Sequence, residues 1–123
     1  MKTLDEVEPR IAINATNTPG DASNTFIISQ PGSYYMIGDI TGEIGKNGIR
    51  ISAAGVTLDL MGFTLDGVAG SLDGVNVSVF RENIVIRNGH IRDWGASGIA
   101  ARIDSGRIED ITALSSVLAG RPG

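Results

Sequence analysis

The carboxylates of Asp66, Asp73, Asp93, Asp104, Glu109 and Asp110 are the side chains in this chain best suited to chemistry. Cleaving a glycosidic bond takes two carboxyl groups about 5 to 9.5 Å apart. Asp66, Asp73 and Asp93 each stand beside or near a glycine, so corners of successive repeats could bring two of them together. The same oxygens would suit Ca2+, a hard cation that wants clustered oxygen ligands, although no calcium-loop spacing is present and no cofactor is expected. His90, the single histidine, is a candidate general acid or base. Trp94, the single tryptophan, is a candidate platform for stacking a sugar ring. Each has a plainer reading as well. Corner aspartates bond nearby backbone amides, His90 lacks a Ser, Asp or second His at motif spacing, and a lone Trp beside a corner covers the edge of an apolar core.

Composition removes other chemistries. With no cysteine, disulfides, thiolate metal sites and a cysteine nucleophile are excluded. A net charge of −4 argues against nucleic acid, which needs a concentrated basic face. No apolar run approaches the roughly 20 residues of a membrane-spanning helix. Met1 to Glu6 lacks the apolar run of a signal peptide, which suits an intracellular protein and a processed one alike. Gly45-Lys46-Asn47 lacks the remaining residues of a phosphate loop.

Positioning these residues falls to a repeat. Asn47-Gly48-Ile49-Arg50-Ile51, Asp73-Gly74-Val75-Asn76-Val77 and Ser97-Gly98-Ile99-Ala100-Ala101 share a small polar residue, a glycine and an apolar alternation, with the glycines 26 and 24 residues apart. A period of that length marks a solenoid. A second series, Gly55 to Leu60, Asn83 to Asn88 and Gly106 to Ile111, lies between them, and a fainter third sets Gly62-Phe63-Thr64-Leu65 over Gly89-His90-Ile91-Arg92. Short period-2 strands with Gly, Asn or Asp corners fit coils of a parallel β-helix. Stacked coils put Ile49/Val75/Ile99, Ile51/Val77/Ala101, Val56/Ile84 and Leu58/Ile86/Ile108 in inward columns. Outside, Asp59, Arg87 and Glu109 form a ladder of alternating charge, expected to pair mutually on an exposed sheet.

The phrases Ile28-Ser29-Gln30-Pro31-Gly32-Ser33-Tyr34-Tyr35, Gly55-Val56-Thr57-Leu58-Asp59-Leu60-Met61-Gly62-Phe63-Thr64-Leu65 and Ile84-Val85-Ile86-Arg87-Asn88-Gly89 resemble bacterial right-handed β-helix repeat proteins of the pectin-lyase-like superfamily. The resemblance covers about residues 4 to 116 and implies the fold, while fold alone does not determine chemistry. Its enzymatic members cleave polysaccharides. Their Asn-Thr-Asp, Asp-Asp and Gly-His-Gly motifs are missing here, Gly89-His90 being followed by Ile91. The Arg-x-Pro-x-x-Arg setting of the lyases has no counterpart, since Arg121-Pro122 is followed only by Gly123.

The expected protein is all-β: a short right-handed parallel β-helix of about three rungs over residues 47–116, in one domain. An amino-terminal cap, 1–46, would carry a short helix at Leu4 to Arg10, and a tail, 117–123, would follow the rungs. So few rungs resemble the cap and first coils of a longer protein and would leave an apolar cross-section after the last one. Ile108, Ile111, Leu114, Val117 and Leu118 are the residues through which a homo-oligomer, a dimer first of all, would cover it. The expected role is a non-catalytic module for structure, self-association or binding of an extended ligand such as a polysaccharide. The alternative is a carbohydrate-active enzyme, a lyase or a hydrolase, or a fragment of one.

Overall fold

The computed structural model describes residues 10–113 and 117–120. Its strands follow the period-2 segments: β1 (Arg10–Ala12), β2 (Asn24–Ile28), β3 (Gly32–Tyr35), β4 (Ile40–Thr41), β5 (Asn47–Ile51), β6 (Val56–Asp59), β7 (Thr64–Asp66), β8 (Val75–Arg92), β9 (Ile99–Ala113) and β10 (Val117–Gly120). Every ladder between them is parallel. Parallel neighbours require the chain to travel round between them. Here it does so by coiling, with no helix among the described residues, and gives a β-solenoid of about four turns.

Each turn contributes to three faces. The first stacks β2, β5, the start of β8, the start of β9 and β10. The second stacks β1, β3, β6 and the middles of β8 and β9. The third stacks β4, β7 and the ends of β8 and β9. In β8 the chain bends from face to face at Asn83 and Asn88, both at positive φ, 60° and 64°, a conformation Asn tolerates better than most residues.

The inward columns lie in the register expected. Ile49, Val75 and Ile99 are paired in succession and wholly buried. On the second face Ile11, Tyr34, Leu58, Ile86 and Ile108 form one column. Stacking equivalent side chains about 4.8 Å apart lets a short chain build a continuous core.

The glycine-led repeat has a specific cause. Asn47 Oδ1 accepts a hydrogen bond from the Asp73 amide at 2.9 Å, and Asp73 Oδ1 accepts one from the Ser97 amide at 3.0 Å. Asn47 Nδ2 also donates to Asn24 Oδ1 at 2.9 Å. A short polar side chain thus ties each coil to the amide of its counterpart in the next. Beside this ladder the coils approach so closely that a Cβ on Gly74 would lie 2.5 Å from the Gly98 carbonyl oxygen and 3.0 Å from Trp94 Nε1.

Three expectations change and one falls outside the described residues. Residues 24–41, assigned to the cap, form a coil of their own through β2, β3 and β4, which raises the rung count from about three to about four. The expected helix lies outside the described residues except for Arg10, which opens β1. Val117 and Leu118, expected in a tail, lie in β10 beside Ile99 and Ala100 and continue the first face. The third series also slips by one residue: Thr64, Leu65 and Asp66 pair with His90, Ile91 and Arg92. Four residues, 60–63, turn the corner between β6 and β7, whereas two, Asn88 and Gly89, do so in β8.

Candidate functional site

The slipped register decides which side chains meet on the third face. Leu65 and Ile91 point inward and are fully buried, so their neighbours point out by the period-2 rule. Thr64, His90 and Thr112 then form one outward column across β7, β8 and β9, with Asp66 and Arg92 paired beside it. Thr64, His90, Ile91, Arg92 and Thr112 line a hollow of about 270 Å3. Backbone amides hold its rim: that of Thr64 donates to the side-chain Oδ1 of Asp39 at 2.9 Å and that of His90 to the Phe63 carbonyl at 3.1 Å. The hydroxyls of Thr64 and Thr112 and the imidazole of His90 make no hydrogen bond to any described residue.

Two of the candidate aspartates converge here. Arg92 Nε lies 3.6 Å from Asp66 Oδ1 and 4.0 Å from Asp93 Oδ2. Asp93 takes a positive φ of 64° at the corner and keeps 69% of its side chain exposed. A glycosidase holds a proton on one carboxyl group by enclosing it in apolar surroundings, and neither aspartate is enclosed. Asp73 does not join them, because both of its oxygens are used in the corner, by the Ser97 amide and by Asn76 Nδ2 at 2.8 Å. Among the described residues no group of three or more His, Asp or Glu side chains could hold a metal ion.

Trp94 occupies the interior. It is 5% exposed, its Nε1 donates to the Leu65 carbonyl at 3.1 Å, and its ring fills the space left by the missing side chains of Gly42, Gly48 and Gly67. No ring face is left for a sugar, which removes it as a stacking platform.

The second face is built differently. Asp59 points outward in register with Arg87 and Glu109, as expected, yet it is only 6% exposed. Arg10 Nη2 lies 3.4 Å and Arg87 Nε 3.6 Å from Asp59 Oδ2. Asp59 Oδ1 accepts the Met61 amide at 2.8 Å and Asn88 Nδ2 at 3.4 Å. Arg10 also lies over the Tyr35 ring, 4.7 Å from its centroid. Glu109 pairs with Arg107 at 3.7 Å, so the expected ladder divides into two groups. Below it Gly55, Thr57, Asn83, Val85 and Arg107 line a shallow hollow of about 510 Å3.

Of the residues expected to join copies of the chain, Ile108 and Ile111 are half-buried in β9 and pack against the core. Val117 and Leu118 lie in β10, and Leu114 lies outside the described residues.

Thr64 and Thr112 are the residues that sequence reasoning missed. They lie 26 and 22 positions from His90; the third series, read one residue over, would have aligned Thr64 with His90, and no series reached Thr112. No family model matches this chain, and no similarity to a curated protein or to a solved structure was found.

Proposed function

We propose that the chain is a non-catalytic β-solenoid module of the pectin-lyase-like type that binds an extended polysaccharide along its third face. The unpartnered column of Thr64, His90 and Thr112 beside the 270 Å3 hollow supports this reading. Polar side chains that bond neither to each other nor to the backbone are left to water or to a ligand. Strands about 4.8 Å apart space these groups on the scale of one sugar ring, and the flat face suits a linear chain. Calorimetric titration with a panel of oligosaccharides tests it. Saturable binding that weakens in His90→Ala is expected, and no binding across the panel would overturn the proposal.

The convergence of Asp66 and Asp93 on Arg92 favours one second reading, a carbohydrate-active enzyme. Release of reducing or unsaturated ends that is lost in both Asp66→Asn and Asp93→Asn would establish that reading. Self-association through Ile108 and Ile111 would cover these half-buried side chains in the middle and end of β9. Light scattering at micromolar concentration tests it, and a uniform monomer would count against it.

A further inference from the structure

We infer that the ligand of the third face is an uncharged glycan rather than a polyuronate or another polyanion. This rests on the binding role proposed for that face and names the chemistry of what it takes. Among the described residues that line the hollow Arg92 is the one cation, and it is flanked by two carboxylates, Asp66 and Asp93. Asp39 adds a third acidic group at the rim, where it holds the Thr64 amide. Like charges facing a ligand repel it, so a chain bearing a carboxylate on every sugar would meet more negative than positive charge.

An uncharged glycan meets a fitting set of partners instead. The Asp66 carboxylate accepts from sugar hydroxyls while the adjacent guanidinium donates to them, so neighbouring hydroxyls of one ring can bond to both members of the ion pair. Thr64, Thr112 and His90 each both donate and accept, as do the hydroxyls they would meet. The second face has the opposite balance, with Arg10, Arg87 and Arg107 against Asp59 and Glu109. Polyanions are therefore repelled from the third face and have their attractive arginines elsewhere. With Trp94 buried, its ring adds no stacking, and the affinity expected is weak, about millimolar.

The test compares uncharged xylo-, arabino- and β-gluco-oligosaccharides with oligogalacturonides of the same length, by calorimetry and by the imidazole resonances of His90. One uncharged series is expected to bind, shift those resonances and change in affinity less than about twofold when salt rises through the range where a Debye length falls to about 10 Å. His90→Ala and Thr112→Val are each expected to weaken it about 3- to 10-fold, with an unchanged melting transition. Tighter binding of the oligogalacturonide, falling steeply with salt, would overturn the inference and leave the binding role standing. Binding that responds to Arg107→Ala but not to His90→Ala would also overturn it, by moving the site to the second face. Failure of every oligosaccharide to bind would remove the binding role itself.

Discussion

The second and third faces share one core and differ in what their outward side chains do. On the second, Asp59 is almost enclosed and its oxygens are taken by Arg10, Arg87, the Met61 amide and Asn88. On the third, the side chains of Thr64, His90 and Thr112 make no hydrogen bond to a described residue, and the ion pair beside them is exposed. Outward groups that satisfy one another stabilise a solenoid, whereas groups left free stabilise it little and are available to a ligand. The same repeat supplies both, and the difference lies in which residues face each other on successive coils.

Both faces hang on the close approach of coils at the glycine ladder, so Gly74→Ala should have the largest effect. Its added methyl meets the Gly98 carbonyl and Trp94, and overpacking of this kind costs about 3 kcal/mol. The urea midpoint should fall, and both faces should lose order together. Asn47→Ala comes next, at about 2 kcal/mol, because it strands the buried Asn24 side-chain oxygen and the Asp73 amide.

The next two substitutions set one face against the other. Asp59→Asn should cost about 1 kcal/mol, a figure reduced for the partial exposure of both arginines. His90→Ala should change stability by less than about 0.5 kcal/mol while it weakens glycan binding. Denaturation curves showing the larger loss for His90→Ala would end the distinction between a satisfied face and a free one.

The smallest effect concerns Asp21, which belongs to neither face. Hydrogen bonds from the Ser23 amide and then the Asn24 side chain hold its pKa below the ordinary value of 3.8. A carboxyl group lowered on folding stabilises above its unfolded pKa, and that contribution is lost as pH falls through the folded one. Stability measured from pH 5 downward, below about 4, should fall less steeply in Asp21→Asn than in the parent chain.

Much of the architecture was legible in the chain. Ile49/Val75/Ile99 and Leu58/Ile86/Ile108 align because burial imposes a strict period of 2 along each strand and the coils impose a second period on top of it. The coil at residues 24–41 was missed because Thr25 stands where later coils have glycine, and Tyr34 fills a position that Leu58 and Ile86 hold below it. Packing there tolerates a change of residue type that hides the repeat. The candidate site was legible only in part. His90, Asp66 and Asp93 stood out as residues able to do chemistry, but their partners depended on the number of residues at a corner. Trp94 was open to either reading, since a lone ring beside a turn looks alike whether it faces solvent or fills a gap between glycines.

The amino-acid sequence by itself determined the all-β coil, its inward columns and the glycine corners, because those follow from local alternation and a fixed spacing. Only the tertiary structure decided the register of the third face, the enclosure of Asp59 and Trp94, and the freedom of Thr64, His90 and Thr112. The physical reason is that each of these depends on contacts between residues more than 20 positions apart. One residue more or less in an intervening corner changes every such contact while leaving the local pattern of each strand untouched.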